Sequence, residues 1–69
     1  MTSSDNTIKL DQFLKCIGIA PTGGQAKLII QGGEVLVNGA LETRRGRKLK
    51  SGDRVTIAEQ TFDVNLDNL

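Results

Sequence analysis

Gly32-Gly33-Glu34-Val35-Leu36-Val37-Asn38-Gly39 is where the hydrophobic period of this chain changes. Upstream, apolar residues recur at helical spacing; from Val35 onward they alternate, with Val35 and Val37 on one face and Leu36 on the other. The glycine pair supplies a left-handed stop for a helix that ends there. Asn38-Gly39 is the dipeptide suited to positive φ at both centres of a type I′ hairpin turn. The stretch therefore predicts an α+β fold, helices first and an antiparallel hairpin after them.

Working upstream, Leu10, Phe13, Leu14 and Ile17 follow the i, i+3, i+4, i+7 pattern of an amphipathic helix. Asp11 lies in its first turn, where the helix dipole favours a carboxylate, and Gly18 ends it. Thr7-Ile8-Lys9 reads as a short extended lead-in. Thr22-Gly23-Gly24-Gln25 fits a capping box that opens a second helix, whose buried stripe is Ala26, Ile29 and Ile30. Ile19-Ala20-Pro21 leaves room only for a tight helix-turn-helix corner.

Downstream of the hairpin turn, Ala40-Leu41-Glu42-Thr43 returns along the first strand. Ser51-Gly52-Asp53 forms a turn that delivers the strand Arg54-Val55-Thr56-Ile57-Ala58. The last run, Thr61 to Leu66, alternates, so that Phe62, Val64 and Leu66 face the core while Asp63 and Asn65 face water. Residues 1–7 are expected to be flexible, 8–66 to form a single domain, and 67–69 to fray.

Between the strands lies Arg44-Arg45-Gly46-Arg47-Lys48-Leu49-Lys50, which holds five of the nine basic residues. The sequence predicts a loop bent at Gly46 and purely cationic from Thr43 to Lys50. From Glu59 onward every ionisable side chain is acidic, so the formal net charge of +1 conceals a dipolar distribution. Such a distribution docks a protein on a polyanion in a preferred orientation. Arg44, Arg45 and Arg47 can each offer two parallel hydrogen bonds to a phosphate, while Lys48 and Lys50 act more as point charges. Lys27 and Gln31, one turn apart on helix two, extend this surface, and the amides near Gly23 and Gly24 are a further phosphate contact. Four or five phosphate contacts imply a slope of log affinity against log salt of roughly −3 to −5.

The ordered set Leu10-Asp11-Gln12-Phe13-Leu14, Gly18-Ile19-Ala20, Ala26-Lys27-Leu28-Ile29, Gly33-x-Val35-x-Val37-Asn38-Gly39 and Gly52-Asp53-Arg54-Val55 resembles the S-four (S4) RNA-binding domain, or alpha-L motif. The similarity spans roughly Ile8 to Ile57. It implies two N-terminal helices, joined at the helix-turn-helix corner, packed on a small, mainly antiparallel twisted sheet, with RNA held by helix two and the neighbouring loops. Glu42-Thr43-Arg44-Arg45-Gly46-Arg47-Lys48-Leu49 is similar to the small stand-alone bacterial type, which implies a part in ribosome assembly or translation. Where many members carry Ser-Arg at the start of helix two, this chain has Thr22-Gly23. The capping hydroxyl is kept and an RNA-facing arginine is missing, which shifts a larger share of binding to the basic loop.

Composition narrows the alternatives. Sixty-nine residues make one small domain. With no Tyr or Trp, and with Phe13 and Phe62 expected inside, there is no aromatic platform for splayed bases, so structured RNA such as rRNA or tRNA is the expected partner. The absence of His and of a second Cys removes the commonest general base and any thiolate metal site, so no catalysis, metal or cofactor is expected. Cys16 is expected to be a small buried residue, Arg54 to serve a local ion pair or its turn, and Asn38-Gly39 and Gly52-Asp53 to place loops without touching ligand. No export signal or membrane span is read, which points to a cytoplasmic monomer with no small-molecule substrate. A ubiquitin-like sulfur carrier, which shares the Val-x-Val-Asn-Gly signal, is set aside because it needs a Gly-Gly end and the sheet here follows the helices. The runner-up is an adaptor that uses the basic loop on an acidic protein.

Overall fold

A computed structural model describes residues 6–68. The chain runs β1 (Ile8–Lys9), α1 (Leu10–Cys16), α2 (Gly23–Gln31), β2 (Val35–Val37), β3 (Ala40–Leu41), β4 (Lys48–Leu49), β5 (Arg54–Ile57) and β6 (Gln60–Asp63), then a 3-10 turn at Leu66–Asn68. The fold is α+β, with two helices and a small antiparallel sheet. Of the segment expected to be flexible, residues 1–5 lie outside the described residues, as does Leu69.

Helix α1 buries Leu10, Phe13 and Leu14, and Gly18 ends it at φ +82°. In α2 the Thr22 hydroxyl accepts a hydrogen bond from the Gln25 amide at 3.1 Å, the backbone half of a capping box. Ala26 and Ile30 of α2 are buried and Ile29 is half-buried. The helices pack on each other across a corner closed by the Ile19 and Ala20 amides on the Leu14 carbonyl.

The main sheet has the order β3-β2-β5-β6, all antiparallel. Val35, Val37, Val55 and Ile57 point into the core with the helices' apolar stripe. The opposite face carries a row across all four strands, Leu41, Leu36, Thr56 and Thr61, set by the register. Asn38 (φ 54°) and Gly39 (φ 84°) make the expected β2–β3 turn.

Several expectations need correction. β6 stops at Asp63: Val64 leaves the ladder and instead exchanges backbone hydrogen bonds with the 52–53 turn, and Leu66 begins a 3-10 turn whose amide donates to Ser51. Phe62 packs against the core as expected but is only half-buried, because β6 is the edge strand of the sheet. Cys16 is exposed, not buried. Gln12, Lys15 and Cys16 share the face of α1 opposite Phe13 and Leu14, and the apolar stripe does not reach it. The ion pair expected of Arg54 is present, to its cross-strand neighbour Asp63 at 3.5 Å, and both side chains are too exposed for the contact to matter much.

Candidate nucleic-acid interface

The basic segment is only partly a loop. Arg44 to Arg47 form a turn closed by the Arg47 amide on the Arg44 carbonyl, after which Lys48–Leu49 become β4 and pair with β1. Leu49 is fully buried and anchors the segment to the core. The turn also serves as the N-terminal cap of α1. Lys9 provides no side-chain cap, and the first free amides of the helix, Leu10 and Asp11, donate to the carbonyls of Arg47 (2.8 Å) and Arg45 (3.2 Å). Helix ends leave such amides unpaired, so the basic turn and α1 need each other.

The expectation that the cations stand without a cancelling carboxylate is corrected. Glu42 is buried beneath them and accepts from Arg44 Nε at 2.9 Å, Arg44 Nη2 at 3.3 Å, Arg47 Nη1 at 2.8 Å and the Arg44 backbone amide at 3.1 Å. Hydrogen bonds from the Arg44 side chain and backbone, assisted by Arg47, pull the Glu42 carboxyl from 4.5 down to about 2, against the opposing effect of burial. The same contact raises Arg44. Arg45 lies 4.0 Å from the Asp11 carboxylate. The available sequence signal for Glu42 was its two-residue spacing from Arg44.

The cations remain available. The Arg44 side chain is 75% exposed and that of Arg45 52%, against 7% for Glu42. Arg47, at 35%, is the most covered of the three, and Lys48 and Lys50 are exposed. The β1–β4 register adds a residue that the sequence did not single out: Lys9 stands directly opposite Lys48. Lys9, Arg44, Arg45, Arg47, Lys48 and Lys50 outnumber the carboxylates that adjoin them, Asp11, Glu42 and Asp53, so the region is cationic on a chain of formal net charge +1.

Lys27 and Gln31 are both exposed on α2, and Lys27 has no ion pair among the described residues. The hydrogen bonds that hold the basic segment run to α1, β1, Glu42 and Asp53. Gly23 and Gly24 lie in the first turn of α2, which holds no acidic residue, and a Cβ added at Gly23 meets nothing within 4 Å. Gly46 has no positive φ, and a Cβ there also meets open space, so the bend does not require glycine.

The two turn motifs are structural. Asp53 accepts from the Lys50 amide at 3.0 Å and from the Asn38 side-chain amide at 3.2 Å, and Asn38 accepts from the Arg54 amide at 2.9 Å. The Lys50 amide is the main cause that keeps the Asp53 carboxyl below its ordinary value. This links the hairpin turn to the end of the basic segment. No cluster of His, Cys, Asp or Glu suited to a metal occurs among the described residues, and none of their helices is long and apolar enough to cross a membrane.

A family model described as an S4 domain matches residues 1–65. The chain is 50% identical over 50 residues to a Bacillus subtilis (strain 168) protein named "Probable ribosome maturation protein RlbA", which covers 72% of this chain and 70% of that one. It is 39% identical over 57 residues to an Escherichia coli (strain K12) protein named "Putative RNA-binding protein YbcJ", across 83% of this chain and 81% of that one.

Proposed function

The chain belongs to the S4 domain family, and from that premise we propose that it binds structured RNA, ribosomal RNA first, and serves ribosome maturation. The observation that carries this is the cationic strip on the β1–β4 ribbon and the turn that caps α1. Arg44, Arg45, Arg47, Lys48 and Lys50 contact phosphates, Lys9 joins them, and Lys27, Gln31, Gly23 and Gly24 on α2 form a second contact. Phosphate contacts of this kind position an RNA by its shape and backbone, which suits a chain with no exposed aromatic ring. The protein acts as a cytoplasmic monomer, by binding alone.

Salt titration of binding to ribosomal RNA helices tests this. The better variant to compare is Arg45→Gln/Lys50→Gln, because neither change strips Glu42 of its partners. Loss of two phosphate contacts should flatten the log–log salt slope by roughly 1.4–1.8. An unchanged slope and affinity would place the RNA elsewhere, and failure to bind RNA at low salt would favour the acidic-protein adaptor.

A further inference from the structure

We infer that Glu42 is a positioning residue for RNA recognition: from beneath the strip it sets the guanidinium planes of Arg44 and Arg47 in fixed orientations, making a cationic patch into a receptor of defined geometry. This rests on the RNA reading above. If charge alone mattered, a carboxylate here would be a defect, since it removes one unit from the field that draws in the polyanion. Yet the carboxylate is the most enclosed charged group of the region, and both of its oxygens are fully used. Oε2 accepts from Arg44 Nε and the Arg44 amide, and Oε1 accepts from Arg44 Nη2 and Arg47 Nη1. A carboxylate has about four acceptor sites, so none is left for a ligand. Its work is internal.

Arg44 spends Nε and one Nη2 hydrogen on Glu42, and its remaining donors lie along the opposite, solvent-facing edge of the guanidinium. Arg47 is held through Nη1 alone and keeps its other donors. Two arginines gripped by one buried anchor have already lost much of their rotamer freedom before RNA arrives, so less is lost on binding. Arg45, whose nearest carboxylate is 4.0 Å away, lacks such an anchor and acts more as a mobile charge.

Glu42→Gln gives a test in which orientation and charge act in opposite directions. It adds one unit of positive charge while putting an amide donor against the arginines. Wild type, Glu42→Gln and Arg44→Lys are titrated at one salt concentration with a ribosomal RNA helix and, separately, with heparin, which supplies charge without RNA geometry. The expected result is a roughly tenfold loss of RNA affinity in both variants, the size of one hydrogen bond to a charged partner, with heparin affinity kept or raised. In the free protein, the side-chain Nε–H resonance of Arg44, which donates to Glu42, should be slow to exchange in wild type and fast in Glu42→Gln.

A constant RNA-to-heparin ratio in both variants overturns the inference. If Glu42→Gln does not fold, Arg44→Lys decides it alone, since that change keeps the charge and loses only the fork. Should wild type bind RNA and Arg45→Gln/Lys50→Gln weaken it while the ratio stays constant, the positioning role alone falls. Should wild type bind no RNA, both fall.

Discussion

Replacing Glu42 with Gln should cost stability at neutral pH and almost nothing in acid. The Glu42 carboxyl is held at about 2 in the folded chain against 4.5 for the free group, and each tenfold change in proton affinity corresponds to about 1.36 kcal/mol. The gap therefore sets an upper bound of about 3.4 kcal/mol. The Arg44 partner is 75% exposed, so solvent screening reduces the expected cost to about 1–2 kcal/mol. Because the folded value is the lower one, the stabilisation is complete above about pH 4.5 and is lost as pH falls towards 2. Urea denaturation of wild type and Glu42→Gln at pH 7, 4 and 2.5 measures the difference directly. At pH 7 the variant should also melt roughly 4–16 °C lower. A stability gap that is the same at pH 2.5 as at pH 7, or absent at pH 7, would refute the ion-pair account of the turn.

Three further outcomes are expected. Gly23→Arg should be accepted, since an added Cβ meets nothing within 4 Å; unfolding should move by no more than about 0.5 kcal/mol, and the RNA salt slope should steepen by roughly 0.7–0.9. Ala58 and Glu59 occupy the β5–β6 turn at φ 53° and 68°, so Ala58→Asn with Glu59→Gly should raise stability by about 1 kcal/mol in thermal or urea melts. Gly46→Ala should leave the melting temperature within a few degrees, roughly the effect of a neutral surface change, because its site is open; weakened RNA binding in that variant would show that the turn tip approaches the RNA backbone closely.

What the sequence revealed depended on how many residues carried each signal. Both helices were legible because three apolar residues in α1 with Ile17 at its end, and three in α2, fixed the phase, and Thr22 and the glycines marked their ends. The β2–β3 hairpin followed from Asn38-Gly39. The β1–β4 ribbon was not legible, since two residues per strand have no measurable period and the partners are some forty positions apart. Its absence hid the pairing of Lys9 with Lys48 and the core role of Leu49. The β5–β6 turn carries no glycine to announce its positive φ angles. Glu42 was read only as part of the returning strand, and only the fold shows that the basic turn closes over it. Cys16 was misplaced because a helix of seven residues beside one core exposes a whole side.

Backbone amide shifts of the isotopically labelled chain, followed as a ribosomal RNA helix is added, test the central claim most directly. The expected changes centre on Lys9, Asp11 and the stretch from Arg44 to Lys50, with a second group at Lys27 and Gln31. Changes confined to Leu36, Leu41, Thr56 and Thr61, on the face of the sheet turned away from the core, would contradict it.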